Sequence, residues 1–212
     1  MRVLVACEYS GTVRDAFIRA GHYAASCDLL PSESPLGDHY QCSVLDILDH
    51  DWDLMIAHPP CTYMSNAGAC RMYPQKGVVD PKRLGKALEA KDFFLSLLNA
   101  PIPRICVENP KPLNIVGLPP ESQMVQPWMF GEPYTKKTLL WLKNLPPLMS
   151  TDIVTKDIVP FCPSGTSRKL GGKSLGAAIR GDDAKNRSKF FKGIANAMAE
   201  QWGVDKPQMA LI

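Results

Sequence analysis

A cysteine follows a pair of prolines directly after an apolar run, in Pro59-Pro60-Cys61. The run before it, Leu-Met-Ile-Ala at 54–57, is typical of a buried strand. The two prolines fix two backbone torsions, so the turn that carries the thiol is rigid. Ligands of open α/β sheets bind where strands end. The sequence therefore predicts a thiol that is presented to a ligand at the edge of a sheet.

A carboxyl group lies at the end of a second strand-like run downstream, which finishes in Glu108-Asn109-Pro110. A cysteine nucleophile and a nearby carboxyl acid are suited to covalent attack assisted by proton donation. We therefore predict that Cys61 and Glu108 are catalytic, whereas Asn109 more simply fixes the loop. His58 is either a base or a loop residue, and its place before the proline pair favours the loop.

Alternating strand and helix patterns position these residues. Strand-like segments are predicted at 2–7, 22–29, 44–47, 53–57 and 104–108, with helices over 12–20 and from Asp80-Pro81 to the prolines at 101 and 103. Asp80 has the side chain of a helix cap, and Pro81 is a residue favoured in the first turn of a helix, so both mark the start of the long helix. This alternation predicts an α/β fold: a Rossmann-like, mainly parallel sheet with helices on both faces.

The pattern changes in the last third of the chain. Runs at 124–130 and 138–142, joined through Gly131-Glu132-Pro133, predict a β-hairpin added to the sheet. Residues 145–180 are rich in proline, glycine and serine, and 187–202 has the spacing of a final helix. We predict a single domain over 1–212 in which 143–186 forms a short, irregular, basic insertion.

Composition limits the class of protein. An apolar content of 45% is enough for a sizeable core, and no apolar run reaches the roughly 18 residues of a membrane span. The first residues read as a strand and not as a signal peptide, so we expect a cytoplasmic protein without a membrane partner. The seven cysteines include no CxxC pair, which predicts reduced thiols and no metal site. Cys7, Cys27 and Cys106 are most simply buried core thiols.

Basic residues are concentrated near the end of the chain. Residues 165–192 contain eight of them against two aspartates, although the formal net charge of the whole chain is only +3. A basic segment with glycines is suited to binding phosphates. Its composition fits a solvated loop equally well.

Five motifs, taken in order, resemble those of the cytosine-5 DNA methyltransferases, especially the compact stand-alone forms that phages carry. The resemblance covers residues 3–142 and about 186–203. The motifs are Pro59-Pro60-Cys61 with Ser65 for the nucleophile, Glu108-Asn109 for the acid, Asp28 for the ribose, Asp46-Ile47 near the adenine and Gly193-Ile194-Ala195-Asn196-Ala197 beside the cofactor.

The resemblance implies S-adenosylmethionine as cofactor, a methyltransferase fold, and DNA methylation, as in restriction–modification, with the target cytosine flipped out of the stack. The cofactor-binding residues that it implies are Cys7, Glu8, Tyr9, Ser10, Gly11, Asp28, Leu29, Asp46, Ile47, Pro59, Asn196 and Ala197. The substrate-binding residues that it implies are Pro60, Ser65, Asn109, Lys136, Thr138, Arg168, Lys169 and Lys173.

The chain departs from the family at four places. The first motif, normally Phe-x-Gly-x-Gly, keeps one glycine here and has Tyr9 in place of another. Thr62 stands where glutamine normally follows the cysteine, and the sequence Tyr-Thr-Lys-Lys-Thr at 134–138 stands where the family has Gln-x-Arg-x-Arg. The interval 143–186 is short for a target-recognition domain.

Three functions are therefore open: cytosine-5 methylation of DNA, the same chemistry on RNA or a free nucleotide, and nucleic-acid binding with weak or no turnover. The short recognition interval favours the second, and the basic segment favours a polymer. The changed motifs suggest the third, whereas retention of both Cys61 and Glu108 favours an enzyme.

Overall fold

A computed structural model describes residues 1–161 and 189–204 of the chain. Their main feature is a seven-stranded sheet with the strand order β3-β2-β1-β4-β5-β8-β6. Strands β1 to β5 are parallel, β8 is antiparallel to β5, and β6 is antiparallel to β8. The strands are β1 (Arg2–Ala6), β2 (Tyr23–Cys27), β3 (Asp38–Tyr40), β4 (Leu54–Ala57), β5 (Arg104–Asn109), β6 (Gln123–Val125) and β8 (Thr138–Lys143). Two short strands, β7 (Tyr134–Thr135) and β9 (Val159–Pro160), pair separately.

Helices cover both faces of the sheet. The helices are α1 (Thr12–Arg19), α2 (Ala69–Met72), α3 (Pro81–Leu98) and α4 (Lys192–Trp202). Alternate residues of β1 point to opposite sides: Val3 and Val5 share a core with α1 and α4, whereas Leu4 and Ala6 share one with α3. The predicted fold class, a mainly parallel sheet with helices on both faces and an added hairpin, is confirmed.

The structure corrects the sequence interpretation at several boundaries. The segment at 44–47 is not a strand: Val44–Asp46 forms a 3-10 helix after Ser43. The missing strand is β3, whose three residues are polar or only partly buried and so show no apolar pattern. The run at 124–130 ends as a strand at Val125, and a 3-10 helix, Pro127–Met129, follows it. The last helix begins at Lys192 and not at 187.

Two further predictions are tested by the described residues. Asp80 caps α3, since its carboxylate accepts a hydrogen bond of 2.7 Å from the backbone N–H of Arg83. Cys27 and Cys106 are buried as predicted, but Cys7 is only partly buried and so is not a core thiol.

Within 1–161 and 189–204, no helix combines the length and apolar character that crossing a membrane requires.

Candidate active site

The turn that carries Cys61 is closed by hydrogen bonds at both ends. The carbonyl oxygen of Cys61 accepts from the backbone N–H groups of Met64 and Ser65, at 3.1 and 2.9 Å. Before it, the carbonyl oxygen of Pro59 accepts a bond of 3.1 Å from the side-chain amide of Asn109, at the end of β5. The ends of β4 and β5 are therefore joined, and Asn109 has the loop-fixing contact that the sequence favoured.

Cys61, Glu108 and Lys136 form one electrostatic cluster. Burial is the largest cause that raises the pKa of the Cys61 thiol, and the negative charge of Glu108 raises it further. The positive charge of Lys136 and a hydrogen bond with Ser65 act in the opposite direction. The charges of Glu108 and Lys136, both predicted site residues, thus act on the pKa of this thiol in opposite directions.

Lys136 is held by aromatic rings. Its Nζ lies 5.3 Å from the ring centroid of Phe161 and 5.2 Å from that of Phe191, which are cation–π distances. The backbone carbonyl oxygen of Lys136 accepts a hydrogen bond of 3.2 Å from the hydroxyl of Thr138, which is buried. Lys136 is therefore held in the segment between β7 and β8, and Thr138 fixes the backbone of that segment.

His58 joins the cluster through Glu108. The imidazole Nδ1 lies 3.2 Å from Glu108 Oε2, and the ring packs against Phe190 with 4.6 Å between centroids. The side chains of His58 and Glu108 are 12% and 13% exposed. The sequence alone favoured a loop role for His58 and gave no signal for this contact, because it depends on how β4 and β5 are aligned.

A cavity of about 240 Å³ opens beside the proline turn. Pro60 forms part of its wall, and Asp28 lies at its rim after β2. The carboxylate of Asp28 accepts a hydrogen bond of 2.9 Å from the backbone N–H of Leu30, which orients it. The remaining wall residues are Cys7, Cys27, Leu29, Cys42, Ser43, Val44 and Phe93. The structure thus brings together three of the predicted cofactor residues, Cys7, Asp28 and Leu29.

Cys7 has an unusual backbone conformation at this cavity. Its φ of 58° lies in the left-handed region, which non-glycine residues seldom adopt, and such positions are concentrated at functional sites. Burial raises the pKa of its thiol to about 12, with Asp28 and Cys27 adding to the effect. Cys7 is therefore a neutral, apolar wall group at physiological pH.

The other predicted cofactor residues do not line this cavity. Asp46 is exposed, and Ile47 is buried with its carbonyl oxygen bonded to the Trp52 indole at 2.7 Å. Ser43 and Val44 supply the wall at this segment instead, and sequence reasoning missed them because the 3-10 helix was not foreseen. On α4, Ala197 is buried in the core while Asn196 is exposed.

Glu8 caps α1 from inside the protein. One carboxylate oxygen accepts a bond of 2.7 Å from the N–H of Val13, and the other accepts one of 3.2 Å from the N–H of Arg14. Burial raises the pKa of Glu8, while the nearby His58 and these bonds lower it. Gly11, with φ 74°, gives the chain the left-handed turn that starts the helix.

A second, much smaller cavity of about 30 Å³ lies next to this cap. It is lined by Cys7, Glu8, Tyr9, Ser10, His58, Lys189 and Phe190. It therefore connects the predicted first motif with the histidine before the proline turn. Lys189, one of the eight basic residues of 165–192, forms an ion pair of 2.7 Å with Glu33.

The remaining predicted site residues divide between the core and the part that is not described. Ser65 is buried and pairs through its backbone with Pro112 after β5. Arg168, Lys169 and Lys173 lie outside the described residues. Within 1–161 and 189–204, no group of three His, Cys, Asp or Glu side chains is placed to hold a metal ion.

Comparison with known proteins gives distant similarities. No protein-family model and no curated protein matches the chain. A structure from an E. coli prophage, assigned as a DNA modification methyltransferase, aligns at 16% identity with a TM-score of 0.45, over 74% of this chain and 53% of that one. A mutant of Spodoptera frugiperda DNMT2 aligns at 13% identity with a TM-score of 0.39, over 79% and 61%.

A third structure, the Entamoeba histolytica methyltransferase EhMeth, aligns at 14% identity with a TM-score of 0.41, over 73% of this chain and 57% of that one. The chain thus spans between about half and three fifths of the lengths of these three proteins. Similarities of this size concern the fold alone.

Proposed function

We propose that the protein transfers a methyl group from S-adenosylmethionine to carbon 5 of cytosine in DNA, through a covalent adduct with Cys61. One observation carries the proposal: Cys61 and Glu108 lie at the neighbouring ends of the paired strands β4 and β5, next to a cavity that Pro60 and Asp28 line, and the charge of Lys136 acts on the Cys61 thiol. A nucleophile, an acid and a cation are the groups that this chemistry requires.

The cavity beside the proline turn suits the proposed cofactor. Val44, Phe93 and Pro60 offer apolar surfaces for an adenine ring, and the oriented carboxylate of Asp28 can accept hydrogen bonds from ribose hydroxyls. S-adenosylmethionine would supply an electrophilic methyl group when bound there. Pro60 lines the cavity and directly precedes Cys61 in the chain, so the nucleophile is adjacent in sequence to a residue of the cavity wall.

Cytosine needs covalent activation, since carbon 5 of its aromatic ring is a weak nucleophile. Attack of the Cys61 thiolate on carbon 6 breaks the aromaticity and makes carbon 5 electron-rich, as in an enamine. Glu108 would give a proton to ring nitrogen 3 as negative charge develops there. Loss of the proton on carbon 5 would later expel Cys61 and restore the ring.

The electrostatics of the cluster fit this order of events. The charge of Glu108 raises the pKa of Cys61, so a protonated Glu108 removes part of the obstacle to a thiolate. The form of Glu108 that can donate a proton is therefore also the form that helps Cys61 to ionise. Lys136 adds a further, constant bias toward the thiolate.

A mechanism-based substrate tests the proposal. DNA that contains 5-fluorocytosine traps the adduct, because fluorine cannot leave carbon 5 as a cation. With S-adenosylmethionine present, we expect a complex that survives denaturing electrophoresis for the wild type and is lost in Cys61→Ala. An adduct that persists in Cys61→Ala would refute the assignment of the nucleophile.

A second experiment separates catalysis from cofactor binding. We expect Glu108→Gln to lower turnover by about 10²-fold or more with little change in affinity for S-adenosylhomocysteine, as for a lost acid catalyst. Parallel reactions with RNA and with the free nucleotide compare the substrate classes. Adducts confined to RNA or to the nucleotide would replace DNA as the substrate, and binding of DNA without any adduct would favour a non-catalytic protein.

A further inference from the structure

The His58 ring is fixed by the sheet before it meets Glu108. Its backbone N–H donates a hydrogen bond of 2.9 Å to the carbonyl oxygen of Ala6, which continues the pairing of β4 with β1. On the side chain, Phe190 packs against the ring, and Nδ1 lies 3.2 Å from Glu108 Oε2. The contact therefore joins the ends of β4 and β5, which pair with each other in the sheet.

The surroundings of the ring select one tautomer. Nε2 is shielded from solvent and has no hydrogen-bond partner among residues 1–161 and 189–204. A proton on Nε2 would therefore be buried without an acceptor, and Nδ1 would turn a lone pair toward a carboxyl oxygen. With the proton on Nδ1, the ring donates a hydrogen bond to Glu108, and only the lone pair of Nε2 is left without a partner. This tautomer therefore costs less free energy than the one protonated on Nε2.

The other charged groups near the ring are already engaged. His58 lowers the pKa of the nearby Glu8. The two carboxylate oxygens of Glu8, however, already accept hydrogen bonds from the N–H groups of Val13 and Arg14. Lys189 lines the same small cavity and forms an ion pair with Glu33. Glu108 is therefore the group on which the imidazole acts directly.

We propose that His58 is a positioning residue that acts through Glu108: its Nδ1–H holds Oε2 of Glu108, so that Oε1 can present a proton to nitrogen 3 of the cytosine. The inference rests on the proposed function. As the bond between the Cys61 sulfur and carbon 6 forms, the electrons of the C5–C6 double bond shift into the ring toward nitrogen 3. Nitrogen 3 takes the proton from Oε1, and Glu108 becomes a carboxylate.

His58 favours this step because its hydrogen bond strengthens while the proton moves. A bond from N–H to a carboxylate is about twice as strong as one to a neutral acid group. The bond is therefore stronger in the transition state than in the resting pair, which is the condition for accelerating the chemical step and not merely binding. Loss of the donor should slow adduct formation without weakening cofactor binding.

Single-turnover formation of the 5-fluorocytosine adduct measures this step. We expect His58→Leu to form the adduct at least about tenfold more slowly than the wild type, in line with one lost charge-assisted contact. Affinity for S-adenosylhomocysteine should stay within about twofold, since no cofactor group is removed. His58→Asn is the matched control, because its amide nitrogen occupies the same position along the side chain as Nδ1. We expect it to restore the rate to within about threefold of the wild type.

A double-mutant cycle with Glu108→Gln shows whether His58 acts through Glu108. We expect His58→Leu to cause no further loss of rate when Glu108 is already glutamine, since coupled residues are not additive. The inference is overturned if the two losses multiply, if His58→Asn is as slow as His58→Leu, or if cofactor affinity falls together with the rate. If the wild type forms no adduct, the proposed function fails and this inference fails with it. A wild-type adduct with normal rates in both His58 variants overturns the inference alone.

Discussion

Gly193 allows α4 to start against the backbone of another segment. A Cβ atom added there would overlap the carbonyl oxygen of Phe130 and contact its carbonyl carbon and Cβ. The N–H of Gly193 also donates a hydrogen bond of 3.0 Å to the carboxylate of Glu132. The residue at the start of α4 is therefore held close to the segment at 130–132. We predict that Gly193→Ala destabilises the protein.

The size of the effect follows from what must move. The obstacle is backbone and not the end of a flexible side chain, so the first turn of α4 must shift, and Ile194, which is fully buried, must shift with it. Overpacking typically costs about 1–3 kcal/mol, and this contact belongs at the upper end of that range. For a domain of this size, about 3 kcal/mol corresponds to a Tm that is lower by roughly 6–12 °C.

Gly85 provides the matched control. It lies on the exposed side of α3, and an added Cβ atom would meet nothing within 4 Å. Gly85→Ala should therefore stabilise the protein by about 0.5–1 kcal/mol through helix propensity. Thermal and urea unfolding of both variants measure the difference. The reasoning is refuted if Gly193→Ala unfolds at the wild-type temperature, or if both glycines respond alike.

Three other changes test the electrostatics, the cofactor cavity and a helix cap. Because burial and Glu108 raise the pKa of Cys61, the rate of its alkylation by iodoacetamide should still increase with pH above pH 9. Lys136→Met should slow this alkylation at pH 8 by roughly five- to thirtyfold, which corresponds to about 1–2 kcal/mol of lost attraction between the lysine and the thiolate. Equal rates in Lys136→Met and Lys136→Arg would contradict this expectation. Asp28→Ala should weaken S-adenosylhomocysteine binding by about tenfold and leave the Tm nearly unchanged, and calorimetric titration that finds equal affinity would remove Asp28 from the cofactor site. Asp80→Ala should lower stability by about 1 kcal/mol, measured by urea unfolding, with Asp80→Asn close to the wild type; equal losses in the two variants would mean that capping is not the cause.

The sequence predicted those parts of the site that depend on strand order. Cys61 follows β4 and Glu108 lies near the end of β5, and the ends of adjacent parallel strands meet at one edge of the sheet whatever the loops do. The cap formed by Glu8 was not predictable in the same way, because nothing in a single motif shows that its side chain turns inward to the N–H groups of α1.

Short or polar elements also escaped prediction. Strand β3 has three residues, which is too few for an alternating pattern. The sequence predicted a strand at 44–47 instead, where the structure has the 3-10 helix Val44–Asp46. Cys42 follows β3, and its sulfur lies 4.0 Å from that of Cys27 in the wall of the cavity beside the proline turn. This contact depends on the pairing of β2 with β3, and pairing between chain segments leaves no trace in local periodicity.

The layer that α1 and α4 share has a consequence for biosynthesis. Phe17 of α1 and Trp202 of α4 are both buried in this one core, although 12–19 leaves the ribosome long before 192–202 does. Until the last helix emerges, the growing chain exposes the apolar face formed by Val3, Val5 and Phe17. Late-closing cores of this kind are vulnerable to aggregation and attract chaperones during synthesis. Ribosome-bound chains that stop before Lys192 should therefore be far more sensitive to protease than chains that include Trp202.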